Sequence, residues 1–145
     1  MNENVSLFFL NKLTRGIIGS LIVQFILGMI INLFAVAPQD PKFATESPIF
    51  KIVFLLHGLN GVVLPIFALS LLFFAFKNGR VDLKRISSLG FISILVAAGG
   101  GIATIILKNT LSEIASFVMS LGFIFSLVSY GKLYLLAKKA VWASS

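Results

Sequence analysis

Four long apolar runs dominate the chain, at about Gly16–Val36, Phe50–Phe76, Ile86–Leu107 and Ile114–Leu136. A helix rising about 1.5 Å per residue needs roughly 20 such residues to cross the hydrocarbon core of a bilayer. None of the runs alternates apolar with polar, as the strands of a membrane barrel do. A continuous apolar run in lipid satisfies its own backbone only as a helix. The pattern predicts an all-α integral membrane protein with four transmembrane helices in a single domain over residues 1–145.

The polar breaks between the runs set the connections. APQDPKFATESP, residues 37–48, holds three of the four prolines and two of the five acids, and is the only loop long enough to shape a ligand mouth. KNGRVDLKR and KNTLSE are short turns. Short connections make sequential helices antiparallel neighbours, so an up-down-up-down bundle is expected. Ahead of the first run, VSLFFLNKL is apolar almost all round and is expected at the membrane interface. Ala35-Val36-Ala37 imitates a signal-peptide cleavage site. The apolar stretch before it is too long for a signal and Pro38 follows directly, so an uncleaved first span is expected.

Composition agrees with the pattern. The chain is 58% hydrophobic and 12% charged, with a mean hydropathy of +1.03. A soluble domain carries about twice that charged share. With no cysteine there is no disulfide, no thiolate metal site and no thiol nucleophile. The net charge of +7 is explained by topology rather than by nucleic acid. With a cytoplasmic N-terminus, nine basic residues fall inside (Lys12, Arg15, Lys77, Arg80, Lys84, Arg85, Lys132, Lys138, Lys139) against three outside (Lys42, Lys51, Lys108). That bias places both termini in the cytoplasm of a multi-pass cell-membrane protein, with anionic membrane lipids as partners. Glu3, Asp40, Glu46, Asp82 and Glu113 all lie in loops or at helix ends, which excludes ion transport by a mid-membrane carboxylate relay. No helix carries an arginine ladder for voltage sensing, and no nucleophile–base pair suggests an intramembrane protease.

Depth then singles out residues. His57, the only histidine, lies roughly 10 Å below the outer boundary, and Asn60 about 15 Å. Asn32 comes at roughly 6–8 Å, Met29 at about 10–12 Å and Gly99-Gly100-Gly101 at about 10–14 Å. Met119 falls within the first two turns of the fourth helix, beside Ser116 and Ser120. The unusual residues of all four helices thus converge on the outer half of the bilayer. One imidazole, nearby amides and a glycine surface suit a planar cofactor of the haem or quinone type. His57 would be the metal ligand, with Met119 or Met29 as a second axial group, and Asn60 or Asn32 would donate to a propionate or a quinone oxygen. Each residue also has a packing role open to it: amides as interhelical struts, serines bonded to their own helix, glycines as points of close approach.

VQFILGMIIN, HGLNGVVLPIFALSLL, LGFISILVAAGGGIATIILKNTL and SFVMSLGFIF together resemble one four-helix half of the haem A synthase family. The resemblance spans nearly the whole chain and implies haem binding linked to respiratory electron transfer or oxidase biogenesis, with His57 as an iron ligand and work as an oligomer. Two departures stand out. The family's glutamate three residues before this histidine is Phe54 here, and Met119 stands about where the fourth helix would carry its histidine. The family's oxidation chemistry is therefore not implied. Two readings of other classes stand beside it: a non-catalytic accessory subunit of a larger membrane complex, and a small lipid or small-molecule carrier.

Overall fold

In a computed structural model, residues 3–36, 47–107 and 110–143 are described, and all of the regular structure among them is helical. The elements are α1 (Glu3–Val36), α2 (Pro48–Asn78), α3 (Val81–Ile106) and α4 (Thr110–Ala143). All four are long and apolar enough to cross a membrane.

The helix ends follow from local chemistry. Ser47 caps α2, its hydroxyl accepting from the Phe50 amide, with Pro48 in the first turn where no N–H is needed. Gly79 closes the same helix in the left-handed region at φ 84°, its amide donating to the Phe76 carbonyl. α3 restarts two residues later. Arg80 pairs with Asp82 at 2.7 Å, and that acid sits in the first turn, where the helix dipole favours negative charge. Across the second short turn, the Ser112 hydroxyl donates to the Thr104 carbonyl at 3.0 Å.

The helices outrun the apolar runs, most clearly at the N-terminus. The segment expected to lie along the interface continues α1 without a break, and Leu7 and Leu10 are buried in the core. α2 and α4 supply the apolar surface there that covers one face of the segment, and Phe9 stacks on Phe74 of α2. Burial against protein is what holds it in line with α1.

α1 packs against α2 and α4, and α3 against α2 and α4, while neither diagonal pair comes into contact among the described residues. The bundle is a ring of four. Its core occupies one half: Leu7 to Leu21 of α1, Leu64 to Ala75 of α2, Leu83 to Ile94 of α3 and Gly122 to Ala137 of α4. In the other half only Gly100 and Ala115 are fully buried among the described residues. The stack of Phe25 on Phe123, with ring centroids 5.3 Å apart, joins α1 to α4 close to where the packed half ends.

Candidate functional site: a directed hydrogen-bond chain between α1 and α2

Ser20 and Gln24 lie one turn apart on α1, and His57 and Asn60 one turn apart on α2. The four half-buried side chains meet just beyond the last fully buried leucines, Leu21 and Leu64. Ser20 Oγ donates to Asn60 Oδ1 at 2.5 Å. Asn60 Nδ2 donates twice, to the Ser20 carbonyl and to Gln24 Oε1, each at 2.9 Å. Gln24 Nε2 lies 3.2 Å from His57 Nε2.

The direction of this chain is determined by one atom. The Ser20 carbonyl can only accept, so the Asn60 nitrogen must face it, and Gln24 must offer its oxygen to Asn60. Gln24 is left with its NH2 toward the ring, so His57 Nε2 carries the lone pair and its proton sits on Nδ1. That N–H is buried and has no hydrogen-bond partner. The chain therefore starts at a serine hydroxyl and ends on a lone donor.

Gly28 makes room for the end of the chain. A Cβ there would sit 3.2 Å from His57 Cε1, tight enough that the ring would have to shift. Ser20, Gln24 and Gly28 recur every four residues and so share one face of α1.

The structure gathers only part of the expected set. His57 and Asn60 are together. Met119 belongs elsewhere, on α4 against α3: its Sδ lies 3.3 Å from where a Gly101 Cβ would stand. Gly100 is a point of backbone contact, since its Cβ would fall 2.7 Å from the Met119 amide nitrogen. A Cβ on Gly99 would meet nothing within 4 Å. Met29 is 48% exposed on α1, and the side chain of Asn32 lies outside the described residues. Among the described residues, no group of three or more His, Cys, Asp or Glu side chains could hold a metal ion. Ser20, Gln24 and Gly28 had no place in the expected site. Their four-residue spacing on α1, facing a pair three apart on α2, was the available signal.

Several other serines serve their own helices. Ser93, Ser120 and Ser126 donate to carbonyls four residues back, as Ser70 does in α2.

Fold and site together define an all-α bundle of four helices long and apolar enough to cross a membrane, with a polar clasp between the first two. No protein-family model, no curated protein and no solved structure matches the chain.

Proposed function

We propose that this is a multi-pass membrane protein in which His57 donates a hydrogen bond to a membrane-soluble, carbonyl-bearing ligand of the quinone type, in the service of electron transfer. The observation behind the reading is the lone Nδ1–H that ends the clasp. A buried donor without a partner costs about 1–3 kcal/mol, whereas a purely structural clasp would close on itself. A quinone oxygen is an acceptor without a proton, the complement of that group. His57 Nδ1 lies 3.8 Å from where a Gly28 Cβ would stand, so the donor borders a surface without side chains on α1.

Haem fits these residues less well. Imidazole binds iron through a nitrogen lone pair, and the only one on His57 is engaged by Gln24. Ligation would require that bond to break, and Met119 lies in the contact between α3 and α4.

In the bilayer we take the helices to run up-down-up-down, with both termini cytoplasmic and the less packed half in the outer leaflet. Two registers support the antiparallel course of α1 with α2 and of α3 with α4: Ser20 with Asn60 and Gly28 with His57, then Gly90 with Tyr130 and Gly100 with Ala115. In both, residue numbers rise on one helix as they fall on the other.

A second reading, a non-catalytic subunit of a membrane complex, draws on a different observation. Ser20, Gln24 and Asn60 satisfy one another, and large apolar side chains such as Ile52, Ile105 and Phe117 face outward from the less packed half.

Because His57 is the only histidine, 15N-histidine labelling reports a single ring. Titrating a short-chain quinone into the labelled protein in nanodiscs should shift the Nδ1 signal saturably, and His57→Ala should weaken binding about tenfold. Equal binding by wild type and His57→Ala would refute the quinone reading. A Soret band lost in the variant would favour haem, and a preparation that binds neither but retains partner subunits would favour the second reading.

A further inference from the structure

A second feature, on the seam between α1 and α4 within the packed half, carries an inference independent of His57. Arg15 of α1 reaches across to α4. Its guanidinium carbon stands 5.4 Å from the centre of the Tyr134 ring, and one of its terminal nitrogens lies 3.5 Å from the Tyr134 hydroxyl. Both contacts orient the guanidinium, but neither supplies an anion.

The described carboxylates do not supply one either. Asp82 is taken by Arg80, and Glu113 lies in the first turn of α4, remote in sequence from Tyr134 near its other end. Arg15 thus has no carboxylate partner among the described residues.

Two further cations stand near it by register. α1 and α4 are paired at Arg15–Tyr134 and at Phe25–Phe123, ten residues apart on one helix and eleven on the other, in opposite senses. Carried one turn further, the same register sets Lys12 level with Lys138, and both are exposed. Lys12 lies three residues from Arg15, and Lys138 four from Tyr134, so each shares a face with its neighbour.

We infer that the exposed seam between α1 and α4 binds the phosphate of an anionic phospholipid, with Arg15 as the oriented ligand and Lys12 and Lys138 beside it. The outer surfaces of α1 and α4 carry exposed apolar side chains such as Phe25, Val128 and Leu135, along which acyl chains can lie. A guanidinium matches a phosphate with two parallel N–H donors, and Tyr134 holds its plane in advance. A soluble phosphate would gain nothing from the apolar part, and for that reason the occupant is a lipid.

Native mass spectrometry of protein released from nanodiscs of mixed phosphatidylglycerol and phosphatidylcholine tests this. Wild type should retain phosphatidylglycerol preferentially, and Arg15→Gln should reduce retention about fivefold, the effect of one basic group near a charged surface. Tyr134→Phe keeps the ring and should lose less. Lys84→Gln, on α3 away from that seam, removes the same charge and should leave retention unchanged, with circular dichroism confirming the fold of each variant. Equal loss in Arg15→Gln and Lys84→Gln would reduce the site to diffuse attraction and overturn the proposal. So would the absence of any preference for the anionic lipid, or displacement of the lipid by millimolar inorganic phosphate.

Discussion

Gln24 donates to Nε2 of His57 across 3.2 Å, and through that bond α1 dictates the tautomer of a ring on α2. The amide can do so because Asn60 holds its oxygen and the Ser20 carbonyl holds Asn60. A main-chain atom thus fixes where the ring proton sits, two side chains away. In 15N spectra the Nδ1 of His57 should be the protonated nitrogen. Gln24→Leu should release that constraint and give a mixture of tautomers. A predominantly Nε2-protonated ring in the wild type would refute the direction assigned to the chain.

Asn60 is the hub of the clasp, with three of its four hydrogen bonds. Asn60→Ala should lower stability by about 1–2 kcal/mol, at the upper end for interhelical polar contacts in membranes. Ser20→Ala removes one donor and should cost about half as much. Reversible unfolding in a detergent titration would measure both. A larger loss in Ser20→Ala than in Asn60→Ala would contradict the hub.

Four glycines divide into two kinds. A methyl on Gly100 would meet the Met119 amide nitrogen at 2.7 Å, and one on Gly122 would meet the Ala97 nitrogen at 2.7 Å. Both obstacles are helix backbone and cannot turn aside. Gly99→Ala and Gly16→Ala meet nothing within 4 Å. Gly100→Ala or Gly122→Ala should force α3 from α4 and cost about 2–3 kcal/mol. Gly99→Ala and Gly16→Ala should be neutral or stabilising by about 0.5–1 kcal/mol, the usual preference for alanine within a helix. Thermal unfolding of the four variants side by side reads the contrast.

Tyr130 lies in the packed half, fully buried, with its ring against Gly90 and its hydroxyl unpaired. Deleting only the oxygen removes a buried polar group that has no partner. Tyr130→Phe should therefore raise stability by about 1 kcal/mol. Tyr130→Ala should lower it by about 3–5 kcal/mol through the cavity left behind. Destabilisation by Tyr130→Phe would mean that the hydroxyl is bonded in the membrane.

The proposed orientation makes its own prediction. The chain has no native cysteine, so single replacements report cleanly. A cysteine at Thr110 should react with an impermeant maleimide applied to intact cells, and one at Lys77 only after lysis. The reverse result would invert the orientation.

Helix number was legible from hydropathy because each run is long and separated by charge, proline or glycine. KNGRVDLKR marked the break between α2 and α3, which the structure narrows to Gly79 and Arg80. His57 and Asn60 could be placed on one face from their spacing alone. Their partners could not. In lipid, outward and inward residues are both apolar, so a helix such as α2 carries no amphipathic stripe to say which face meets α1. The same lack of contrast hid the extension of α1 through Leu7 and Leu10 into the core, and the concentration of the core in one half of the bundle. Gly99–Gly101 read as one surface along the chain. On a helix, however, successive residues point about 100° apart, so Gly100 meets the backbone of α4 while Gly99 meets nothing. Composition and run length carry the number of helices and the places where they break. Which residues touch depends on how the helices turn toward one another, and that is settled by close backbone approach at Gly100 and Gly122 and by one directed set of hydrogen bonds from Ser20 to His57.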